Sequence, residues 1–172
     1  ACGEVTFQGQ PFAAVVAQSR AQAEDALERI VVDWEELPVV ASMEGAATAG
    51  AAKVNSELAG NLAMSHALSA GDPETAFAAA AVVVEQQFVF SRQTGVTLEL
   101  RSILADFDPR TRKLVVHHSH QAPNQMRDIF ATQLGLPIAD VQVITPDVGG
   151  AFGMKLSAYS DEMAVVAIAV LL

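Results

Sequence analysis

The first forty residues alternate between short apolar runs and one amphipathic stretch. Apolar and β-branched runs at residues 5–7, 12–17 and 31–37 predict three strands. Between the last two runs, apolar side chains at positions 23, 26, 27 and 30 recur at helical spacing. Ser19 stands before this stretch as an N-cap, and Gln22 completes a capping box with it. The pattern therefore predicts a β-β-α-β unit.

A change in composition separates this unit from the rest of the chain. Residues 42–70 are rich in Ala, Gly, Ser and Asn and show weak periodicity, which is typical of a linker. We therefore expect one domain at residues 1–41, a linker at 42–70 and a second domain at 71–172.

The second domain is predicted to mix strands with helices. Asp72 and Pro73 predict the start of a short helix that ends near residue 80, and a strand follows at residues 82–91. Runs at 97–107 and 113–119, joined by a turn that begins Asp108-Pro109, predict a hairpin. A helix from Pro123, a strand at 141–145 and a helix from about residue 157 complete the order. This order predicts an α+β fold with a mixed sheet.

Charge and cysteine content exclude several classes of protein. Ten basic against twenty acidic residues give a net charge of −10, which makes nucleic acid and anionic membranes poor partners. A single cysteine, Cys2, excludes an intrachain disulfide and suits a reducing compartment. We expect a cytoplasmic location, with the periplasm as the alternative.

The most apolar runs, at residues 76–84 and 163–172, are too short to span a bilayer and are expected to be core. The sequence begins without a methionine and stops inside the second of these runs. We therefore expect both ends to be cuts in a longer protein. We also expect the chain by itself either to self-associate through its exposed apolar ends, especially residues 163–172, or to need a partner that covers them.

A glycine-rich loop at residues 146–155, Pro-Asp-Val-Gly-Gly-Ala-Phe-Gly-Met-Lys, is the strongest candidate for chemistry. Met154 separates Gly153 from Lys155, so the loop is not a Walker loop, and it lacks the glycine spacing of a Rossmann fingerprint. Two interpretations remain. The loop is either a set of backbone N–H groups at the start of a helix, or a tight turn that places Phe152 in the core.

Polar residues elsewhere give weaker signals. His118 and His120 would share one face of a strand and His117 the other, and no third metal ligand is at hand, so we predict structural histidines and no metal ligands. Near the hairpin, Glu99 and Arg101 would form a pair on one strand face. Alternatively, Gln93 would present its amide to a bound group.

Taken in order, these segments resemble the molybdenum hydroxylases, the xanthine dehydrogenase and aldehyde oxidase family. Residues 3–17 and 33–38 resemble the later part of its α/β hammerhead domain. The second half resembles the start of its molybdopterin-binding region, in the motifs Leu98-Glu99, 105–109 (Ala-Asp-Phe-Asp-Pro), 119–123 (Ser-His-Gln-Ala-Pro), 134–137 (Leu-Gly-Leu-Pro) and 147–155.

The resemblance implies a function and a set of site residues. It implies a molybdenum–molybdopterin cofactor that hydroxylates aldehydes or electron-poor heterocycles, with iron–sulfur clusters and FAD on partner domains or subunits. Gln93 matches the family's glutamine near the metal's oxo group. The segment Gly150, Ala151, Phe152 and Gly153 matches the loop that approaches the metal's ligands, with the ring of Phe152 beside the substrate.

Departures from the family pattern narrow this function. Leu156 stands where xanthine-oxidising members have a glutamate, which makes xanthine an unsuitable substrate. Ala151 and Met154 replace glycines common in the loop, and the family's general-base glutamate belongs to a region that this sequence does not include. We therefore expect the chain by itself to be inactive without the remainder of the molybdopterin subunit. A non-catalytic α+β scaffold or interaction module is the alternative.

Overall fold

The computed structural model describes residues 3–91 and 93–172, which form two compact units. One unit contains residues 3–10 and 17–91, and the other contains residues 11–16 and 93–172. Cys2 lies outside the described residues. None of the helices in the described ranges is long and apolar enough to cross a bilayer. The domain boundaries expected from the sequence stay a prediction.

A three-stranded mixed sheet forms the centre of the second unit. Strands β1 (Ile103–Asp108) and β2 (Lys113–His118) are antiparallel neighbours, with Ile103 opposite His118, and β3 (Val141–Ile144) runs parallel to β2 on its other side. The order is β1-β2-β3, so β2 is central. A parallel pair needs a crossover connection, and a helix between β2 and β3 supplies it.

Two helices cover one face of this sheet. Helix α4 (Pro123–Leu134) is the crossover, and α5 (Ser160–Leu171) follows the glycine-rich loop. Alternate residues of β2 point into the core, as the period of a strand requires. The core consists of apolar side chains from both helices, from the sheet and from the segment that follows α4: Leu114, Val116, Met126, Phe130, Ala131, Leu136, Val141 and Val166.

The first unit contains three short helices, α1 (Arg20–Leu27), α2 (Met43–Ala47) and α3 (Pro73–Ala79). Each has a side-chain N-cap, from Ser19, Ser42 and Asp72 respectively, which accepts a backbone N–H of the first turn. Asn61 joins the loops around it, because its side chain bonds the backbone of residues 46, 52 and 54. No described residue of this unit is buried.

Several predicted strands are wrong. Residues 5–7, 12–17, 31–37 and 82–91 form no strand, so α1 is the only formed element of the expected β-β-α-β unit. The period of the apolar residues indicates which side chains avoid water, whereas a strand forms only when its backbone is hydrogen-bonded to a neighbouring strand. In the described residues these segments have no ladder partner. The strand expected at 97–107 is likewise shorter, because only residues from Ile103 pair with β2.

Other predictions are confirmed. The fold is α+β with a mixed sheet, the hairpin forms, and α1 and α3 begin after the expected caps. Gly135 ends α4 with a φ of 65°, a left-handed conformation that glycine adopts without steric cost. Helix α2 lies inside the expected linker and was not predicted. Helix α5 begins at Ser160, three residues later than expected.

Candidate functional site

The glycine-rich loop between β3 and α5 has an unusual backbone. The φ angles of Gly150, Phe152 and Gly153 are 98°, 49° and 84°, whereas Gly149 and Ala151 are not among the positive-φ residues. A positive φ is rare for a bulky residue and costs about 1–2 kcal/mol at Phe152. Backbone segments in which positive-φ and negative-φ residues adjoin can turn successive N–H groups toward one side, where these groups bind an electronegative atom.

The N–H groups of this segment are available to a ligand. None of the N–H groups of residues 150–153 donates a hydrogen bond to another described residue. Within the loop, the bonds use other groups: the Met154 N–H donates to Ala151 O at 2.9 Å and the Leu156 N–H to Gly153 O at 3.3 Å. The loop therefore presents four consecutive donors.

Helix α5 does not contribute to this site. It begins seven residues after Gly153, so the expectation that the loop amides lie at a helix N-terminus is wrong. Phe152 is 80% exposed, which also excludes the alternative in which its ring fills the core. The donors come from the loop backbone itself.

A carboxylate holds the start of the loop. The Glu99 Oε2 atom accepts a short hydrogen bond from the Gly149 N–H and another, at 3.1 Å, from the Lys155 Nζ. The Gly149 N–H first, then Lys155 and Ser119, hold the pKa of the Glu99 carboxyl below its ordinary value. A Cβ at position 149 would lie 2.6 Å from the Glu99 Cβ, so this approach requires glycine.

Lys155 is a buried cation beneath the loop. Its side chain is 0% exposed, and its Nζ donates to Ser119 Oγ at 2.9 Å as well as to Glu99. A buried ammonium is costly unless it is paired and hydrogen-bonded, and these two partners satisfy that requirement. The Gln121 N–H donates to Lys155 O at 3.0 Å, which fixes the backbone at the same point.

Arg101 belongs to a separate cluster, so the expected Glu99–Arg101 pair is wrong. Its guanidinium binds Asp161 and Glu162 of α5, each at 2.7 Å, and lies 4.0 Å from the centre of the Tyr159 ring. Glu99 and Arg101 are only two residues apart in the chain, but Glu99 contacts the glycine-rich loop and Arg101 contacts α5. Tyr159 connects the two clusters, because its hydroxyl donates to Met154 O at 2.5 Å.

The buried histidines belong to the Arg101 cluster. His118 Nε2 lies 3.2 Å from Glu162 Oε2, outside hydrogen-bond alignment, and the His118 and His120 rings are 4.7 Å apart. Burial would raise the pKa of Glu162, but His118 and Arg101 outweigh it and lower that pKa. Burial, and then His118, lowers the pKa of His120.

His117 is exposed, so it faces away from the other two histidines, as predicted. Within the described ranges, no group of three His, Cys, Asp or Glu side chains could hold a metal ion.

The structure brings the Gln93 segment to the loop. Gln93 is exposed and lies two residues before Gly95, where a Cβ would be 2.9 Å from the Phe152 Cβ and 3.4 Å from its carbonyl oxygen. Gly95 is therefore the point at which the two segments touch. Leu156, at the other end of the loop, is 43% exposed. The six predicted site residues thus belong to the loop and to the segment that contacts it.

Sequence reasoning missed the anchors of the loop. Glu99, Ser119 and Tyr159 were not recognised as its partners, although Glu99 and Ser119 stand in motifs that carried the family resemblance. The presence of Lys155 in the glycine-rich loop was the available signal, since a lysine that becomes buried requires a carboxylate partner, although the neighbouring residues do not say which one.

Comparisons with known proteins identify the family of this chain. The model of the molybdopterin cofactor-binding domain matches residues 54–172. The large chain of carbon monoxide dehydrogenase from Hydrogenophaga pseudoflava is 31% identical over 98% of this chain, and the large subunit of nicotine 6-hydroxylase from Paenarthrobacter nicotinovorans is 33% identical over 92%. The crystal structure of quinoline 2-oxidoreductase from Pseudomonas putida 86 aligns with a TM-score of 0.78 and 35% identity over 89% of this chain.

All three relatives are much longer than this chain. The alignments span 23% of the carbon monoxide dehydrogenase chain, 19% of the nicotine 6-hydroxylase subunit and 19% of the quinoline 2-oxidoreductase chain. The similarity therefore concerns about a fifth of each relative.

Proposed function

Because this chain belongs to the family of molybdopterin cofactor-binding domains, we propose that it is part of a molybdenum-dependent hydroxylase. The reaction proposed is oxidation of an aldehyde or an electron-poor N-heterocycle with oxygen derived from water. The chain by itself is proposed to be inactive, because the general-base glutamate that the resemblance implies is not in this sequence.

One observation carries the proposal: the N–H groups of residues 150–153 donate to no other described residue, on a backbone in which Gly150, Phe152 and Gly153 have positive φ. Backbone donors at fixed positions stabilise negative charge on oxygen or sulfur without reorganising. The cost of the positive φ at Phe152 is of the kind found at ligand sites. These features fit the electron-rich ligands of a molybdenum–pterin group.

Gly150, Ala151, Phe152 and Gly153 would hold the cofactor through their N–H groups, and Gln93 would add its side-chain amide. When bound, molybdopterin supplies the oxidation chemistry, and partner iron–sulfur clusters and FAD accept the electrons. The exposed ring of Phe152 offers an apolar wall for a planar substrate and keeps water from one side of it.

Leu156 narrows the class of substrate. Its side chain is apolar and 43% exposed at the end of the loop, so it offers no carboxylate to orient a purine. The names of two relatives, nicotine 6-hydroxylase and quinoline 2-oxidoreductase, indicate N-heterocycles as their substrates. This supports a heterocycle or an aldehyde rather than xanthine for the present chain.

The proposed partners are the remainder of the molybdopterin subunit and the iron–sulfur and flavin subunits or domains. Multi-subunit organisation is supported by relatives named as large chains or subunits. A cytoplasmic location stays a prediction.

Co-expression tests this proposal. The chain is expressed with the remainder of a molybdopterin subunit and with the iron–sulfur and flavin subunits, and molybdenum is measured by mass spectrometry alongside aldehyde and quinoline oxidation. We expect close to one molybdenum atom per complex, with turnover of at least one of the two substrates. A complex that assembles without molybdenum would reject the proposal.

A non-catalytic scaffold is the second candidate, favoured by Ala151 and Met154 at positions where the family commonly has glycine. Methyl and thioether side chains narrow the space for backbone approach. A complex that binds molybdenum but oxidises neither substrate, with Ala151→Gly and Met154→Gly restoring turnover, would favour this candidate.

A further inference from the structure

One carboxylate oxygen closes the glycine-rich loop. The Glu99 Oε2 atom bonds both the Gly149 N–H and the Lys155 Nζ, so the two ends of the seven-residue segment 149–155 meet at a single atom. The four N–H groups of residues 150–153, which have no partner among the described residues, lie between these two anchors. Any movement of Glu99 would therefore change the positions of both ends.

We propose that Glu99 is a positioning residue that, together with Lys155, sets the loop in its donor-presenting conformation before any cofactor binds. The proposal rests on the proposed function, because the donors it positions are those assigned to the cofactor. Glu99 contacts the loop and not the groups that would react.

We call the Glu99–Lys155 ion pair the clamp of the loop. Its two residues differ in what the loss of each would leave behind. Lys155 is fully buried, and its other hydrogen-bond partner, Ser119, carries no charge. Loss of the Glu99 charge would leave a buried ammonium without a counter-charge, which drives the lysine toward water and takes the loop with it. Glu99 is 36% exposed, so water would solvate its carboxylate if the lysine were replaced.

This asymmetry separates a positioning role from simple stabilisation. Glu99→Gln should disturb the loop strongly, whereas Lys155→Met should disturb it weakly, because the Gly149 N–H keeps its acceptor and no charge is stranded. The double variant Glu99→Gln/Lys155→Met should resemble Lys155→Met. A second substitution that rescues the first is not expected if the two residues contribute independently.

The experiment is hydrogen exchange by mass spectrometry on the 172-residue chain and on the co-expressed complex. The peptide that covers residues 146–156 reports the loop through its hydrogen-bonded amides, those of Gly149, Met154 and Leu156, and the peptide that covers residues 126–131 reports the core. Asp106→Asn, an exposed carboxylate on β1, is the matched control. Molybdenum content of each complex is measured in parallel.

We expect loop exchange about tenfold faster in Glu99→Gln, the size expected for losing one charge-assisted contact, and less than about threefold faster in Lys155→Met and in the double variant. Core exchange and the Asp106→Asn variant should stay unchanged. Loop exchange within about twofold of the unaltered chain in Glu99→Gln, or a double variant worse than either single one, would overturn the proposal. A molybdenum-free complex with the expected exchange pattern would reject the proposed function and leave the clamp standing.

Discussion

Residues 17–91 and 93–172 contain similar apolar side chains but differ in what those side chains do. In the first stretch Phe77, Val82 and Phe88 are 64%, 78% and 74% exposed, whereas in the second Leu114, Met126 and Phe130 are fully buried. Helices form in both, and α1, α3 and α4 begin at a side-chain cap or a helix-starting proline. Local signals are therefore sufficient for short helices, whereas a core needs side chains that lie far apart in the sequence and that the fold brings together.

The largest effect should separate two phenylalanines that both lie on helices. Phe130→Ala removes a fully buried ring from α4 and should lower the free energy of unfolding by about 3–5 kcal/mol. Phe77→Ala on α3 removes an exposed ring and should change it by less than about 0.5 kcal/mol. Urea unfolding followed by circular dichroism measures both. Equal losses would mean that the two regions do not differ in packing.

Two glycines give the next contrast. A Cβ on Gly149 would meet Glu99 Cβ at 2.6 Å, so Gly149→Ala should cost about 1–3 kcal/mol as an overpacked contact. Gly60 has no atom within 4 Å of such a Cβ and no positive φ, so Gly60→Ala should be close to neutral. Thermal unfolding of the two variants measures the loss of stability in each. If Gly149→Ala is as well tolerated as Gly60→Ala, Glu99 does not hold the loop at that distance.

The smallest expected effect is a pH dependence of folding stability that is confined to residues 93–172. The pKa of His120 lies below its ordinary value of about 6.5 because burial, and then His118, disfavours its charge. The unfolded chain therefore binds more protons as the pH falls below about 6.5, and the folded state loses stability there. The titratable groups near it are His118 and Glu162.

Exchange in helix α4 at pH 7 and pH 5.5, corrected for intrinsic rates, measures this loss. We expect faster corrected exchange at pH 5.5 and a smaller difference in His120→Gln. The carboxylates with lowered pKa values, Glu99, Asp161 and Glu162, lose their contribution only below about 4.5, so they do not interfere. Equal exchange at both pH values would show that His120 is not buried in its neutral form.

The sequence was a good guide wherever a signal is local. Ser19, Asp72 and Gly135 mark helix ends because capping depends on neighbouring residues, and the Asp108-Pro109 turn marks the hairpin for the same reason. It was a poor guide to strands, because residues 31–37 and 82–91 have the composition of strands but no ladder partner in the described residues.

The candidate site shows the same division. The glycines identified the loop, since positive φ is a local requirement. The partner of Glu99 could not be read from its neighbours: Arg101 stands two residues away, but Gly149 and Lys155, fifty and more residues along the chain, are the residues it binds. Only the fold determines such a pairing.

The central claim is that the Gln93 segment and the loop present donors to a molybdenum cofactor, and turnover per bound molybdenum tests it most directly. In the co-expressed complex, Gln93→Ala is compared with Gln86→Ala, an exposed glutamine from the same stretch of chain. We predict that Gln93→Ala lowers turnover per molybdenum about tenfold or more with molybdenum content unchanged, as for the loss of one donor to a developing charge, and that Gln86→Ala changes neither. Equal turnover per molybdenum in the two variants would contradict the claim.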